Sequence, residues 1–225
     1  MSEYQRIGIF GRSQSGKSSL MDRILRGHRR VVLFDAIDER APTARAEGFS
    51  EITTISELQD RIDRDYASGF RLWFHPSYEA DLVLSLSDVS RMLLDCQTQQ
   101  AERGGTDKRP SIALAVDEMA DCFPNQTLTR EKDHFSIMCR SGRHKGIHLI
   151  GASQRPAEVS TKFRGQLSKR FIFNLTEPRD LQAVNEMGGA DGKALAEAVR
   201  LQQSLEYIRL ENGRYATGRI NFQKK

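Results

Sequence analysis

Residues 11–18 read Gly11-Arg12-Ser13-Gln14-Ser15-Gly16-Lys17-Ser18, and the fold turns on this stretch. It satisfies G-x-x-x-x-G-K-[ST] in full, and its flanks supply the setting the pattern requires. Upstream, Arg6-Ile7-Gly8-Ile9-Phe10 is a strand pattern; downstream, Ser18–Leu25 reads as a helix. Glycines in such a loop let backbone N–H groups converge on phosphate oxygens, and the helix N-terminus adds the positive end of its dipole. The expectation is a nucleotide-phosphate loop over Gly11, Arg12, Ser13, Gln14, Ser15, Gly16, Lys17, Ser18 and Ser19. Lys17 would reach the β- and γ-phosphates, and the Ser18 hydroxyl would bind Mg²⁺. The bland alternative is a glycine turn with a structural role alone.

Working outward, strand and helix patterns alternate without a Ser- or Pro-rich linker. Arg30–Asp35 is a continuous apolar run, the mark of a strand buried on both faces of a parallel sheet. Residues 40–55 read as irregular, and Ser56-Glu57-Leu58-Gln59 as a capping box opening a helix with Leu58, Ile62 and Tyr66 on one face. Phe70–Phe74 is a further strand. Leu82, Leu86, Val89, Leu93 and Cys96 mark a helix that frays into a polar loop over 97–110. A strand at 111–116, a helix over 128–141, and strands at 147–152 and 170–174 follow. Pro178 opens the next helix, a short one covers 192–202, and Asn212-Gly213 between two strand patterns predicts a hairpin at about 203–221. The order argues for one three-layer α/β domain over residues 1–225, with a mostly parallel central sheet and a C-terminal β-hairpin.

Composition agrees. The chain has 225 residues, 38% hydrophobic and 28% charged, which is enough apolar material for a sizeable core. No apolar run approaches the roughly 20 residues of a membrane span, and the N-terminus reads without a signal peptide. Cys96, Cys122 and Cys139, odd in number and irregular in spacing, read as reduced thiols of a cytoplasmic protein. From Arg130 to Arg170 the chain carries ten Lys and Arg against three acidic residues, within an overall charge of +4. Such a block implies an anionic partner, nucleotide phosphates or nucleic acid. Within it, Arg164, Lys169 and Arg170 read as facing phosphates across a subunit boundary or DNA.

Two more strand tips carry chemistry. Ile112–Val116 runs into Asp117-Glu118, and parallel α/β sheets place ligands at the C-terminal tips of their strands. Asp117 would orient hydrated Mg²⁺, and Glu118 would accept a proton from the attacking water; the alternative is a pair that merely caps the next turn. Ile147–Ser153 ends at Gln154, whose amide can bond both a γ-phosphate oxygen and that water. Asp35 and Asp38 read either as neighbours of the nucleotide or as loop caps. His144 and His148 read as a turn donor and an outward-facing strand residue, and Trp73 and Phe74 as core.

The phosphate loop, the Asp117-Glu118 strand and the run Gly142-Arg143-His144-Lys145-Gly146-Ile147-His148-Leu149-Ile150 into Ala152-Ser153-Gln154-Arg155-Pro156 together resemble the FtsK–HerA superfamily of DNA-pumping ATPases. The resemblance covers residues 6 to about 180, and its specific part is 142–156. It implies a RecA-like P-loop core that hydrolyses ATP, a homo-oligomeric ring (usually a hexamer) with ATP sites between subunits, and double-stranded DNA through the centre. The basic block lacks an aromatic or Asn/Gln-rich reading helix, so contact with that DNA is expected at the phosphate backbone, without sequence preference. It also implies an arginine finger from the neighbouring subunit. Arg143 fits that position best, with Arg140 next and Arg170 as a further alternative. The compact form is most similar to genome-packaging ATPases of tailless, internal-membrane icosahedral viruses. That likeness implies a host-cytoplasmic enzyme or virion-vertex component, with a capsid or membrane anchor protein as partner. A mobile-element DNA-transfer ATPase and a nucleotide-gated assembly factor are the competing readings; a small-molecule kinase is disfavoured by Glu118, a hazard beside a transferable phosphate.

Overall fold

A computed structural model describes residues 4–104 and 110–221. In chain order the strands are β1 (Arg6–Phe10), β2 (Arg30–Asp35), β3 (Ser50–Ile52), β4 (Phe70–Phe74), β5 (Ile112–Asp117), β6 (Ile147–Ser153), β7 (Lys169–Phe173), β8 (Glu206–Glu211) and β9 (Arg214–Arg219). The helices are α1 (Lys17–Leu25), α2 (Ala41–Ala46), α3 (Ile55–Asp65), α4 (Leu82–Gly104), α5 (Met119–Cys122), α6 (His134–Ser141), α7 (Thr161–Arg164), α8 (Pro178–Gly188) and α9 (Gly192–Arg200). Among the described residues these strands join one nine-stranded sheet in the order β3-β4-β2-β5-β6-β1-β7-β8-β9. It is parallel from β3 to β7, and β8 and β9 add the expected antiparallel hairpin. Asn212 and Gly213 turn that hairpin with φ of 51° and 71°, the doubly positive pair that matches strand twist.

The continuous apolar runs are continuous because both faces of the sheet are covered. β2 sends Val32 and Phe34 into one layer and Val31 and Leu33 into the other. The first layer is packed by α3 through α9, with Leu58, Leu86, Val89, Phe135, Phe163 and Val184 among its side chains. The second is packed by α1 and α2, with Leu20, Met21, Leu25 and Ala44. Trp73 and Phe74 lie in the core, and the three cysteines are buried free thiols. Burial pushes Cys96 up to about 11 and Cys139 up to about 12. Among the described residues no helix is long and apolar enough to cross a membrane.

Several local expectations are corrected. Residues 40–55 are not irregular: α2 and the short β3 lie there, β3 pairing only with β4 at the sheet's edge. Thr54, not Ser56, caps α3, its hydroxyl accepting the Glu57 N–H at 3.2 Å. The helix expected to fray at Gln97 continues to Gly104. Gln97 is fully buried, where it accepts from Tyr66 Oη at 2.6 Å and donates to the carbonyls of Pro110 and Gly146; residues 105–109 of the expected loop lie outside the described residues. The single helix expected over 128–141 is a 3₁₀ turn at Arg130–Lys132 followed by α6, parted at Asp133, whose carboxylate takes Ser136 and Lys162. His148 does not face outward. It is 2% exposed and accepts the Gln5 N–H at Nδ1.

Candidate active site

The order of the central strands assembles the site. β6 lies between β1 and β5, with Phe10 beside Ser153 and Val116 beside Gly151. The phosphate loop, Gln154 and the Asp117-Glu118 pair therefore leave the same edge of the sheet from adjacent positions. The loop is pinned at its start, Gly11 N–H donating to Ser153 O and Arg12 N–H to Asn174 O. At Gly16 the backbone reaches φ +105°, and a Cβ there would stand 3.2 Å from Leu205, so only glycine suits both demands.

Two features inside the loop fit a phosphate ligand. The Ser15 hydroxyl is buried and has no hydrogen-bond partner. Lys17, only 6% exposed, folds back so that Nζ donates to Arg12 O at 3.0 Å, a bond that phosphate oxygens would replace. Burial lowers the Lys17 pKa, with Glu118 and Asp117 acting against it. The first N–H groups of α1 have no partner within the helix. Ser18 is exposed and Ser19 half-buried at the loop's rim. Arg12, Ser13, Gln14 and Ser15 line an open cavity of about 390 Å³ together with Asn174, Gln203 and Ser204.

Asp117 ends β5 in register with Asp35 at the end of β2. Its Oδ1 accepts the Glu118 N–H at 3.2 Å, and its Oδ2 accepts from Arg40 Nη1 at 3.2 Å. Glu118 adopts left-handed φ 50°, ψ 59°, a conformation that costs a non-glycine residue and clusters at functional sites. Its Oε1 accepts from Gln154 Nε2 at 2.9 Å. Burial raises the Glu118 pKa first of all, and the Gln154 bond and Lys17 hold it down. A hydroxyl and a carboxylate are the hard oxygen donors Mg²⁺ takes, so Ser18 and Asp117 fit that ion by type.

Lys17, Asp117, Glu118 and Gln154 thus converge, whereas the finger candidates do not join them. Arg143 and Arg140 are exposed at the opposite edge of the sheet, where β6 begins. Arg170 is half-buried and donates to Arg164 O. The expectation that Arg164, Lys169 and Arg170 face outside phosphates is corrected for the first two. Arg164 is buried, donates to Val159 O and pairs with Glu186, and Lys169 pairs with Glu211 at 3.1 Å. Asp35 is buried against Trp73 Nε1 and the Arg40 N–H. Arg40 escaped the sequence reading altogether; its ion pairs to Asp22 and Asp117 join residues 18 and 77 positions away, and no local spacing announces them.

No known family profile matches the chain. Over 92 residues it is 28% identical to the DNA translocase FtsK of Clostridium tetani, covering 39% of this chain and 12% of that protein. Over 84 residues it is 31% identical to the DNA translocase SpoIIIE of Bacillus subtilis, covering 36% and 10%. The chain therefore matches about a tenth of the length of these relatives. Among solved structures it superposes on B204, the DNA-packaging ATPase from Sulfolobus turreted icosahedral virus, with TM-score 0.70 and 19% identity over 98% of this chain and 100% of that one. VirB4 of Thermoanaerobacter pseudethanolicus gives TM-score 0.62 at 12% identity over 97% and 90%. In local sequence and in whole-chain fold, the resemblance to the P-loop ATPases of the FtsK–HerA superfamily holds.

Proposed function

We propose that this chain is an Mg²⁺-dependent ATPase unit that drives movement of double-stranded DNA, and that the movement packages a viral genome. The observation that carries the ATPase reading is the convergence of Lys17, Asp117, Glu118 and Gln154 on one sheet edge, with Gln154 bonded to Glu118. In this reading residues 11–19 hold the phosphates and Ser18 and Asp117 hold Mg²⁺, which when bound would offset charge on the phosphate oxygens. Glu118 draws a proton from the attacking water, and Gln154 holds that carboxylate in place. A raised carboxyl pKa brings a general base closer to working pH, where proton transfer is most effective. The DNA part is supported by relatives that are DNA translocases and by a fold shared end to end with a DNA-packaging ATPase. A homo-oligomeric ring, usually a hexamer in the family, with a finger from the neighbour and a capsid or membrane anchor, belongs to the same proposal, as does a host-cytoplasmic setting.

The test is ATP turnover measured with and without duplex DNA, alongside mass in solution. Turnover that rises with DNA, in an assembly larger than the 25.5 kDa monomer, is expected. Nucleotide binding without DNA-stimulated turnover would sink the motor and favour a nucleotide-gated assembly factor.

A further inference from the structure

Arg40 stands five residues beyond the tip of β2 and ties together the two elements that must supply a metal's donors. Its Nη1 donates to Asp117 Oδ2 at 3.2 Å, and its Nη2 pairs with Asp22 Oδ1. Asp22 lies four residues after Ser18 on α1, so the two share a helix face. The Arg40 N–H donates to Asp35 Oδ2 at 2.9 Å, the oxygen that also accepts from Trp73 Nε1 at 3.1 Å. Arg40 is 4% exposed and its Nε has no partner. Burying an ion cluster with a donor left over is a poor way to gain stability, because desolvation cancels most of the attraction. A placing role explains it better.

We infer that Arg40 is the positioning residue of the metal site: it grips α1 through Asp22 and β5 through Asp117, and so presets the Ser18 hydroxyl against the Asp117 carboxylate. The inference rests on the ATPase reading above. Asp117 is then oriented on both oxygens, by Arg40 on one and the Glu118 N–H on the other, and the backbone of Glu118 is held through the same carboxylate. Arginine is required because its planar fork meets two carboxylates at once, whereas lysine offers one compact charge.

The test measures the affinity of a non-hydrolysable ATP analogue by calorimetry, with Mg²⁺ and with EDTA. In Arg40→Lys the affinity with Mg²⁺ is expected to fall about 10-fold or more, the usual effect of losing a residue behind a metal ligand, while affinity in EDTA stays within about twofold. Asp22→Asn takes the charge from the α1 arm without touching Asp117 and is expected to fall in the same direction, about threefold, with its melting curve reporting the fold. If Arg40→Lys does not fold, Asp22→Asn carries the test. Equal losses with and without Mg²⁺, or no loss in either, overturn the inference. A wild-type chain that gains no affinity from Mg²⁺ overturns the metal-dependent ATPase reading instead, and that result comes before any variant is made.

Discussion

The side-chain amide of Gln154 donates to the carboxylate of Glu118 at 2.9 Å, joining the end of β6 to the first residue past β5. A reporter of the γ-phosphate and a base for water would therefore work as one unit. The bond favours the ionised carboxylate, against a burial that favours the neutral acid. Gln154→Ala is expected to raise the Glu118 pKa further and to move the acid limb of the pH–turnover profile upward, since a base is lost as pH falls through its own pKa. Turnover at neutral pH should drop about 10- to 100-fold. An unmoved acid limb in the variant would separate the two residues.

Lys17→Ala and Glu118→Gln are expected to fail differently. Lys17 is buried within the loop, where its Nζ donates to Arg12 O, so its loss should weaken nucleotide affinity about 10- to 100-fold along with turnover. Glu118→Gln keeps the shape and loses the proton acceptor. It should bind ATP within a few-fold of wild type and hydrolyse it about 10²- to 10⁴-fold more slowly. Equilibrium binding and single-turnover hydrolysis on the same samples decide the matter; near-normal hydrolysis by Glu118→Gln removes it as the base.

What the sequence disclosed depended on whether the cause of a feature was local. The strand, glycine loop and helix around residues 11–18, the strands of the central sheet to within a residue at their ends, and the Asn212-Gly213 turn follow from patterns within a few residues, and the structure has all three. β3 spans three residues on the sheet's edge, too short to show alternation. Gln97 reads as polar loop because its partners, Tyr66 and the carbonyls of Pro110 and Gly146, come from distant chain. His148 sits among Tyr4 and His28, and Arg40 among Asp22, Asp35 and Asp117. A buried polar residue whose partners are brought by topology looks, in sequence, like a surface one.

His148 makes acid stability testable. Burial first, and the neighbouring His28 second, hold its pKa down to about 4, against about 6.5 in an unfolded chain. Below the unfolded value the unfolded chain takes up a proton the folded one refuses. The stability is present in full above about pH 6.5 and is lost as pH falls toward 4, by about 2–3 kcal/mol. His28, lowered by burial, adds in the same sense. Asp22, Asp35 and Glu118, raised by burial, act oppositely, because their cost at neutral pH is relieved on protonation. The His148 share is read as the difference between wild type and His148→Gln, from urea unfolding at pH 7.5 and 5. The variant should lose less on acidification; parallel losses would show that His148 is not the sensitive group.

Arg143 closes the argument about assembly. It lies in the 3₁₀ turn Gly142–Lys145, just ahead of Ile147, where β6 begins, whereas the phosphate loop and Gln154 lie beyond Ser153, where β6 ends. Six rises of about 3.3 Å put roughly 20 Å between those two edges, too far for one arginine side chain to span. Arg143 is exposed, its Nε donating to the adjacent His144 ring at 3.1 Å. A finger drawn from this turn must therefore serve another subunit's loop, where such a residue is worth about 10³–10⁵ in rate. Arg143→Ala is expected to keep the ATP affinity of the isolated subunit within about twofold and to lose hydrolysis on that scale. Lys17→Ala subunits lack a working loop but keep the finger, so mixing the two should restore part of the turnover at shared interfaces. Proven co-assembly without recovery would move the role to Arg140. That residue is exposed on the same edge, one helical turn earlier, beside Asp133 and Lys162 in a cavity of about 230 Å³.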